Sequence, residues 1–226
     1  MVHVLVSLIL CLLFMSGGFL TLALKDATMS SCIEEERQAL LDVKANLIDL
    51  NGILNEWGRK EKKMDCCKWV GVTCNNHTGR VIELDLTFNS SSFVGKISPS
   101  LHVLNQLQNI KLSGINFQSI PLPSILGSLS NLQGLEISGA NLSGPIPHQL
   151  TNLSNLLRLD LSHNSLTGSL PFSFRNLTSL TYLDLSQNQL GGYVAMDLSN
   201  NRFEGRVPLL PFRLAALNLS GNREPA

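Results

Sequence analysis

From residue 81 onward the chain alternates apolar and polar residues in short bursts that return at a fixed interval. Each burst is an apolar-x-apolar core followed by a small polar turn: LDLTFN at 84–89, IKLSGI at 110–115, LEISGA at 135–140, LDLSHN at 159–164, LDLSQN at 183–188, MDLSNN at 196–201 and LNLSGN at 217–222. The second apolar anchors are Leu86, Leu112, Ile137, Leu161, Leu185, Leu198 and Leu219, so the steps are 26, 25, 24, 24, 13 and 21 residues. Alternation over three residues places both apolar side chains on one face of a short strand. A period near 24 makes each strand one coil of a solenoid, because a single coil leaves an apolar edge that only a stacked neighbour covers. The expected architecture is an α/β solenoid with a short parallel sheet on its concave side. The asparagines that follow the strands, Asn89, Asn164, Asn188, Asn201 and Asn222, suit an inward ladder that bonds backbone groups where the chain bends. Ile115 and Ala140 hold that slot in two coils, so the ladder is expected to break there, with water or a changed turn.

A different pattern precedes the repeats. Leu40, Val43 and Leu47 recur at helical spacing behind Glu34, Glu35 and Glu36, whose charges suit the positive end of a helix dipole. This predicts a helix whose apolar face covers the first coil. Cys32, Cys66, Cys67 and Cys74 fall within the same stretch, an even number suited to disulfides in an oxidising compartment. Joining the neighbours Cys66 and Cys67 would strain the backbone, which leaves two pairings, of which Cys32–Cys66 with Cys67–Cys74 is favoured. Trp57 and Trp69 flank this framework and are expected to pack within it. Zinc is disfavoured, since His77 is the one histidine near the cysteines.

Residues 1–24 contain no Asp, Glu, Lys or Arg and carry an apolar block at 4–14, as a secretory signal would; an uncleaved anchor is the alternative. The expected divisions are a signal at 1–24, a cap at 30–78, repeats at 79–222 and a tail at 223–226. Six Asn-x-Ser/Thr sequons, at Asn76, Asn89, Asn141, Asn152, Asn176 and Asn218, are candidates for glycosylation wherever the turn is accessible. Lys plus Arg and Asp plus Glu each number 17, so no basic field exists to hold nucleic acid.

Most coils also carry Gly-x-apolar-Pro or a relative, at 95–97, 144–147, 168–171 and 205–208. With these in place the repeats resemble the plant-specific leucine-rich repeat, LxxLxxLxLxxNxLxGxIP. CIEEERQALLDVKANL at 32–47, LNEWG at 54–58, DCCKWVGVTC at 65–74 and TGRVIELDL at 78–86 are similar to the N-terminal domain of plant receptor-like proteins. The resemblance covers residues 30–222, and PSILGSLSNLQGLEIS at 123–138 resembles receptor-like proteins of the disease-resistance type.

The repeat breaks at 191–195, where the 13-residue step leaves too few residues to cross the convex side at roughly 3.3–3.6 Å each. Loss of 11 residues and a distorted coil from Met196 onward are expected there. The last coil begins at Leu219 without room to finish, which suggests a piece of a longer ectodomain or a truncated product.

For function, no nucleophile elbow, phosphate loop or His-rich metal motif appears, so neither catalysis nor a cofactor is expected. A rigid concave sheet with variable outward residues is a binding surface. The outward positions are Glu83, Asp85, Lys111, Ser113, Glu136, Ser138, Arg158, Asp160, Ser162, Tyr182, Asp184, Ser186 and Asp197. Asp85, Asp160, Asp184 and Asp197 recur with the repeat and are expected to be merely solvated. Lys111, Glu136, Arg158, His163, Tyr182 and Gln187 break the repetition and are the candidate ligand-binding residues. What the resemblance implies is an extracellular module at the cell surface that binds a protein, peptide or pathogen-derived ligand alongside a co-receptor. Membrane attachment would come through a further C-terminal segment or the uncleaved leader. The alternatives are a secreted inhibitor of a cell-wall-degrading enzyme and a non-functional short product.

Overall fold

The computed structural model describes residues 31–58, 65–88, 92–170 and 172–192 and the two-residue strand Arg202–Phe203. The expectations for the signal, for the turn at 191–195 past Gly192, for the strand near 196–200 and for Asn89, Asn201, Asn218 and Asn222 fall outside these residues, while Gly191 and Gly192 themselves end a strand.

Helix α1, Glu34–Ala45, forms where three glutamates meet the helix N-terminus and Lys44 its last turn. Leu40 and Val43 are buried as the spacing predicts, but Leu47 lies beyond the helix. Asn46 closes the last turn through its Nδ2, which donates to the Asp42 carbonyl, and Leu47 begins strand β1, Leu47–Asp49. Strand β2, Val72–Cys74, pairs antiparallel with β3, Val81–Asp85. Cys32 bonds Cys66 and Cys67 bonds Cys74, each pair with Cα atoms 5.3 Å apart. Asp65 organises the junction: its Oδ1 accepts from the amides of Cys32 at 3.0 Å and Cys67 at 3.2 Å. Burial alone would raise the Asp65 pKa, yet those two amides and the neighbouring Lys68 outweigh it and hold the carboxyl below its usual range. Trp57 and Trp69 stack with ring centroids 5.1 Å apart, both buried, and the Trp57 indole donates to the Val70 carbonyl.

The solenoid follows. Strand β3 continues in parallel to β5 (Asn109–Lys111), β6 (Gly134–Glu136), β8 (Arg158–Asp160) and β10 (Tyr182–Asp184), completing a six-stranded concave sheet with β2 at its edge. Register is fixed by the apolar row Leu84, Ile110, Leu135, Leu159 and Leu183, whose members face one another across neighbouring strands. A second buried row, Leu86, Leu112, Ile137, Leu161 and Leu185, lies two residues on. On the convex side the chain turns through short 3-10 segments, Pro99–Val103, Ser124–Ser128, His148–Asn152 and Phe172–Asn176, each inserting a large apolar side chain into the core: Leu101, Leu126, Leu150 and Phe174. The second and third of these turns nearly touch, since a Cβ on Gly127 would stand 2.2 Å from the Gln149 carbonyl oxygen. On the flank, β7 (Ser143–Pro145), β9 (Ser165–Gly168) and β11 (Gln189–Gly192) form a second parallel sheet, which β12 (Arg202–Phe203) joins. Strand β4, Phe93–Gly95, pairs antiparallel with β1 and so ties the cap to the first coil.

The asparagine ladder is present at Asn164 and Asn188, both buried. Asn164 Nδ2 donates to the carbonyls of Ile137, Leu161 and Ser162, and its Oδ1 accepts from the amides of Ala140 and Leu142. Asn188 repeats the arrangement one coil later, reaching the Leu161 carbonyl and the Leu166 amide. Each asparagine therefore serves the coil before its own as well as its own turn. Ala140 needs no asparagine of its own, because Asn164 bonds its amide. The break falls one coil earlier: with alanine in the serving slot, the Phe117 amide donates directly to the Ala140 carbonyl and Ile115 closes a turn onto Leu112.

One buried charge joins cap to solenoid. Glu36 is fully buried, accepting from the Val81 amide at 2.8 Å and pairing with Arg80 at 3.1 Å. The dipole argument for the three glutamates holds for the helix end but misses this contact, which depends on where β3 begins.

Replacing Glu36 with Ala leaves the Val81 amide unpaired at the start of the first coil, and a loss of about 2 kcal/mol is expected in denaturant unfolding. Arg80→Ala should cost less, because the Arg80 side chain is 37% exposed and its role is partly taken by water. Asn164→Ala strands two amides and a set of carbonyls, so about 3 kcal/mol is expected from the same measurement, against about 0.5 kcal/mol for Asn155→Ala, which removes one exposed bond to the Ser130 carbonyl.

Candidate functional site

Parallel pairing converts the period of the sequence into rows of side chains across the concave sheet. One row holds Glu83, Asn109, Gly134, Arg158 and Tyr182; the next holds Asp85, Lys111, Glu136, Asp160 and Asp184. Four candidates, Lys111, Glu136, Arg158 and Tyr182, thus stand together on neighbouring strands, all partly exposed.

Their contacts form a chain of alternating charge. Lys111 Nζ lies 2.8 Å from Glu83 Oε1 and 3.6 Å from Asp85 Oδ2. The hydrogen bond that Lys111 donates to Glu83 raises the lysine pKa above its ordinary value despite partial burial, with smaller pulls from Asp85 and Glu136. Arg158 Nε lies 3.3 Å from Glu136 Oε1, and the guanidinium sits 3.6 Å over the centre of the Tyr182 ring. Burial, then the charges of Asp160 and Asp184, push the Tyr182 hydroxyl pKa up. Glu83, Asp85, Glu136, Asp160 and Asp184 outnumber Lys111 and Arg158, so the patch is net acidic. The face is a polar, fixed surface with an aromatic–guanidinium pair at one end and a lysine held between carboxylates at the other.

The recurring aspartates do more than face solvent. Asp85, Asp160 and Asp184 each accept from the amide two residues on, at Thr87, Ser162 and Ser186, closing the turn after the strand. Asp197 lies outside the described residues. Two of the serines expected to face out are buried instead, Ser162 and Ser186. Ser162 donates to Asp160 at 2.7 Å and lies 2.8 Å from the Ser138 hydroxyl, so this row seals the rim of the sheet.

His163 and Gln187 are not part of the strand cluster. Both side chains are exposed on the turn past the serine row, with φ of 54° and 55°. Gly114 and Gly139 occupy the same slot in the two preceding coils, with φ of 78° and 60°. In these four coils the slot is left-handed, and its amide reaches the next coil from Gly114 to the Ser138 carbonyl, from Gly139 to Ser162 and from His163 to Ser186; Phe88, in the same slot of the first coil, instead donates to the Leu86 carbonyl. A side chain there costs about 1 kcal/mol of backbone strain relative to glycine. Glu83 is the surface residue that the sequence did not single out as a candidate; the 26-residue step from Leu86 to Leu112 sets it opposite Asn109, and it reaches Lys111 across the diagonal.

The Cys32, Cys66 and Cys67 sulfur atoms lie within 4.8 Å of one another, but all three are consumed in disulfides and leave no thiolate for a metal. No helix among the described residues is long and apolar enough to cross a membrane.

Comparison with known proteins agrees with this geometry. Residues 33–75 match the leucine rich repeat N-terminal domain, and residues 130–190 match the leucine rich repeat. Receptor-like protein EIX2 of Solanum lycopersicum is 37% identical over 151 residues, covering 63% of this chain and 14% of that protein. Among solved structures, PEPR1 with AtPEP1 superposes with a TM-score of 0.75 at 28% identity, over 85% of this chain and 29% of that one. The Arabidopsis receptor kinase HAESA, solved with the peptide hormone IDA and the co-receptor SERK1, gives a TM-score of 0.52 at 26% identity, over 78% of this chain and 39% of that one. The chain thus spans well under half of each of these three proteins. With the cap, the described coils and the disulfides in place, the chain carries a leucine rich repeat N-terminal domain and leucine rich repeats and is similar to the plant receptor-like proteins.

Proposed function

We propose that the chain is an extracellular recognition module that holds a peptide or protein ligand on its concave sheet, as part of a receptor-like protein and together with a co-receptor, and that it performs no chemistry. The observation that carries this reading is the Glu136–Arg158–Tyr182 cluster beside Lys111: four non-repeating side chains on adjacent strands, oriented by ion pairs and a ring contact at little cost in freedom. Fixed aromatic and guanidinium groups are what recognition surfaces use as anchors. His163 and Gln187 flank the cluster on the rim, in slots where glycine would be easier for the backbone, and we assign them the edge of the same ligand. The two related structures solved with peptide ligands, AtPEP1 and IDA, support the class of ligand. The acidic balance favours a ligand segment bearing Lys or Arg, whose binding weakens with added salt.

The test is a panel of secreted plant peptides measured by interferometry against the immobilised chain. For any peptide that binds, Arg158→Ala and Tyr182→Ala should each weaken binding about tenfold, equal to about 1.4 kcal/mol, with the unfolding midpoint held within a degree or so of wild type. A binder indifferent to both, yet lost on changing convex residues such as Gln149, would move the site to the other side and sink this reading.

A further inference from the structure

We infer that Asn152 and Asn176 carry N-linked glycans on the convex side, that Asn76 carries one on the cap, and that Asn141 is bare in the folded protein. The inference rests on passage through the secretory pathway, as the function proposed above requires.

The four sequons with described structure divide into two kinds. Asn152 and Asn176 end successive convex 3-10 turns, are exposed, and are followed two residues on by exposed Ser154 and Thr178. Asn76 lies in the turn between β2 and β3 with exposed Thr78. All three have ordinary negative φ, and among the described residues none of their side-chain amides is engaged in a protein hydrogen bond. A sugar on such an amide displaces only water.

Asn141 differs in every respect except exposure. Its φ is 51°, its Nδ2 donates to Asn116 Oδ1 at 2.9 Å, and its Oδ1 accepts from the Ser119 hydroxyl at 2.9 Å. The hydroxyl of its own sequon, Ser143, donates to the Ser119 carbonyl. A glycan on Nδ2 replaces one of the amide hydrogens and places a bulky group beside the coil that Asn116 belongs to. Glycans are added before the chain has folded, so the fold acts as the selector: a chain modified at Asn141 must make room for a sugar where Nδ2 meets Asn116 before these coils can close, whereas chains modified at Asn152, Asn176 or Asn76 lose no side-chain bond.

The consequence for partners is geometric. Sugars at Asn152 and Asn176 stand at the ends of successive convex turns on adjacent coils, and so sheath the outer curve. The Asn76 glycan sits beyond the free edge strand β2 and guards it from pairing with another chain. The concave strands carry no sequon among the described residues and stay open.

The test expresses the full chain with its own leader in plant cells and recovers the protease-resistant, folded fraction from microsomes and medium. Glycans are released enzymatically in heavy-oxygen water, which marks each former carrier as labelled Asp, and peptides are mapped. Labelled Asp at 76, 152 and 176 with unlabelled Asn141 is expected, and each of Asn76→Gln, Asn152→Gln and Asn176→Gln should remove one step in gel mobility while Asn141→Gln removes none. Folded protein with Asn152 or Asn176 bare, or with Asn141 labelled, overturns the inference while leaving the secretory reading intact. A chain that stays in the cytosol with no site labelled overturns both.

Discussion

No coil of this protein can satisfy itself. The inward leucines of a strand cover only half of the apolar surface they create, and the remainder disappears only when the next strand lies alongside. Everything else follows from that requirement: the parallel register that aligns Leu84, Ile110, Leu135, Leu159 and Leu183, the close convex turns, and the need for a foreign element at the first coil. Helix α1 and the antiparallel pair β2–β3 supply that element, and two disulfides with the Glu36–Arg80 contact hold it against the first strand.

The parts of the fold that depend on period were legible from the chain alone. Spacing near 24 fixes the strand positions, alternation fixes which residues face inward, and four cysteines in one stretch mark the cap. Contacts that depend on where one coil lies against another were not. Glu36 reads as a helix-end charge, because nothing local says that the Val81 amide will arrive beside it. Asn164 reads as closing its own turn, and its larger service to Ala140 and Leu142 requires knowing the stacking offset.

The same division runs through the concave surface. Non-repetition picked out Lys111, Glu136, Arg158 and Tyr182, and stacking does place these four together. It picked out His163 and Gln187 as well, which belong to a different structural position, a left-handed turn whose usual occupant is glycine. The aspartates show the converse. Repetition suggested indifference, yet each Asp85, Asp160 and Asp184 closes a turn, so recurrence here records a backbone requirement.

The asparagine ladder also gives the molecule a direction in time. Asn164 completes the turn of the coil that precedes it, and Asn188 does the same for the next. During synthesis a coil that has left the ribosome therefore still lacks the donor and acceptor that finish its bend until about one further period of chain has emerged. Assembly of these two coils is ratcheted, each locked by the one made after it, on a base that the disulfide-bonded cap holds fixed.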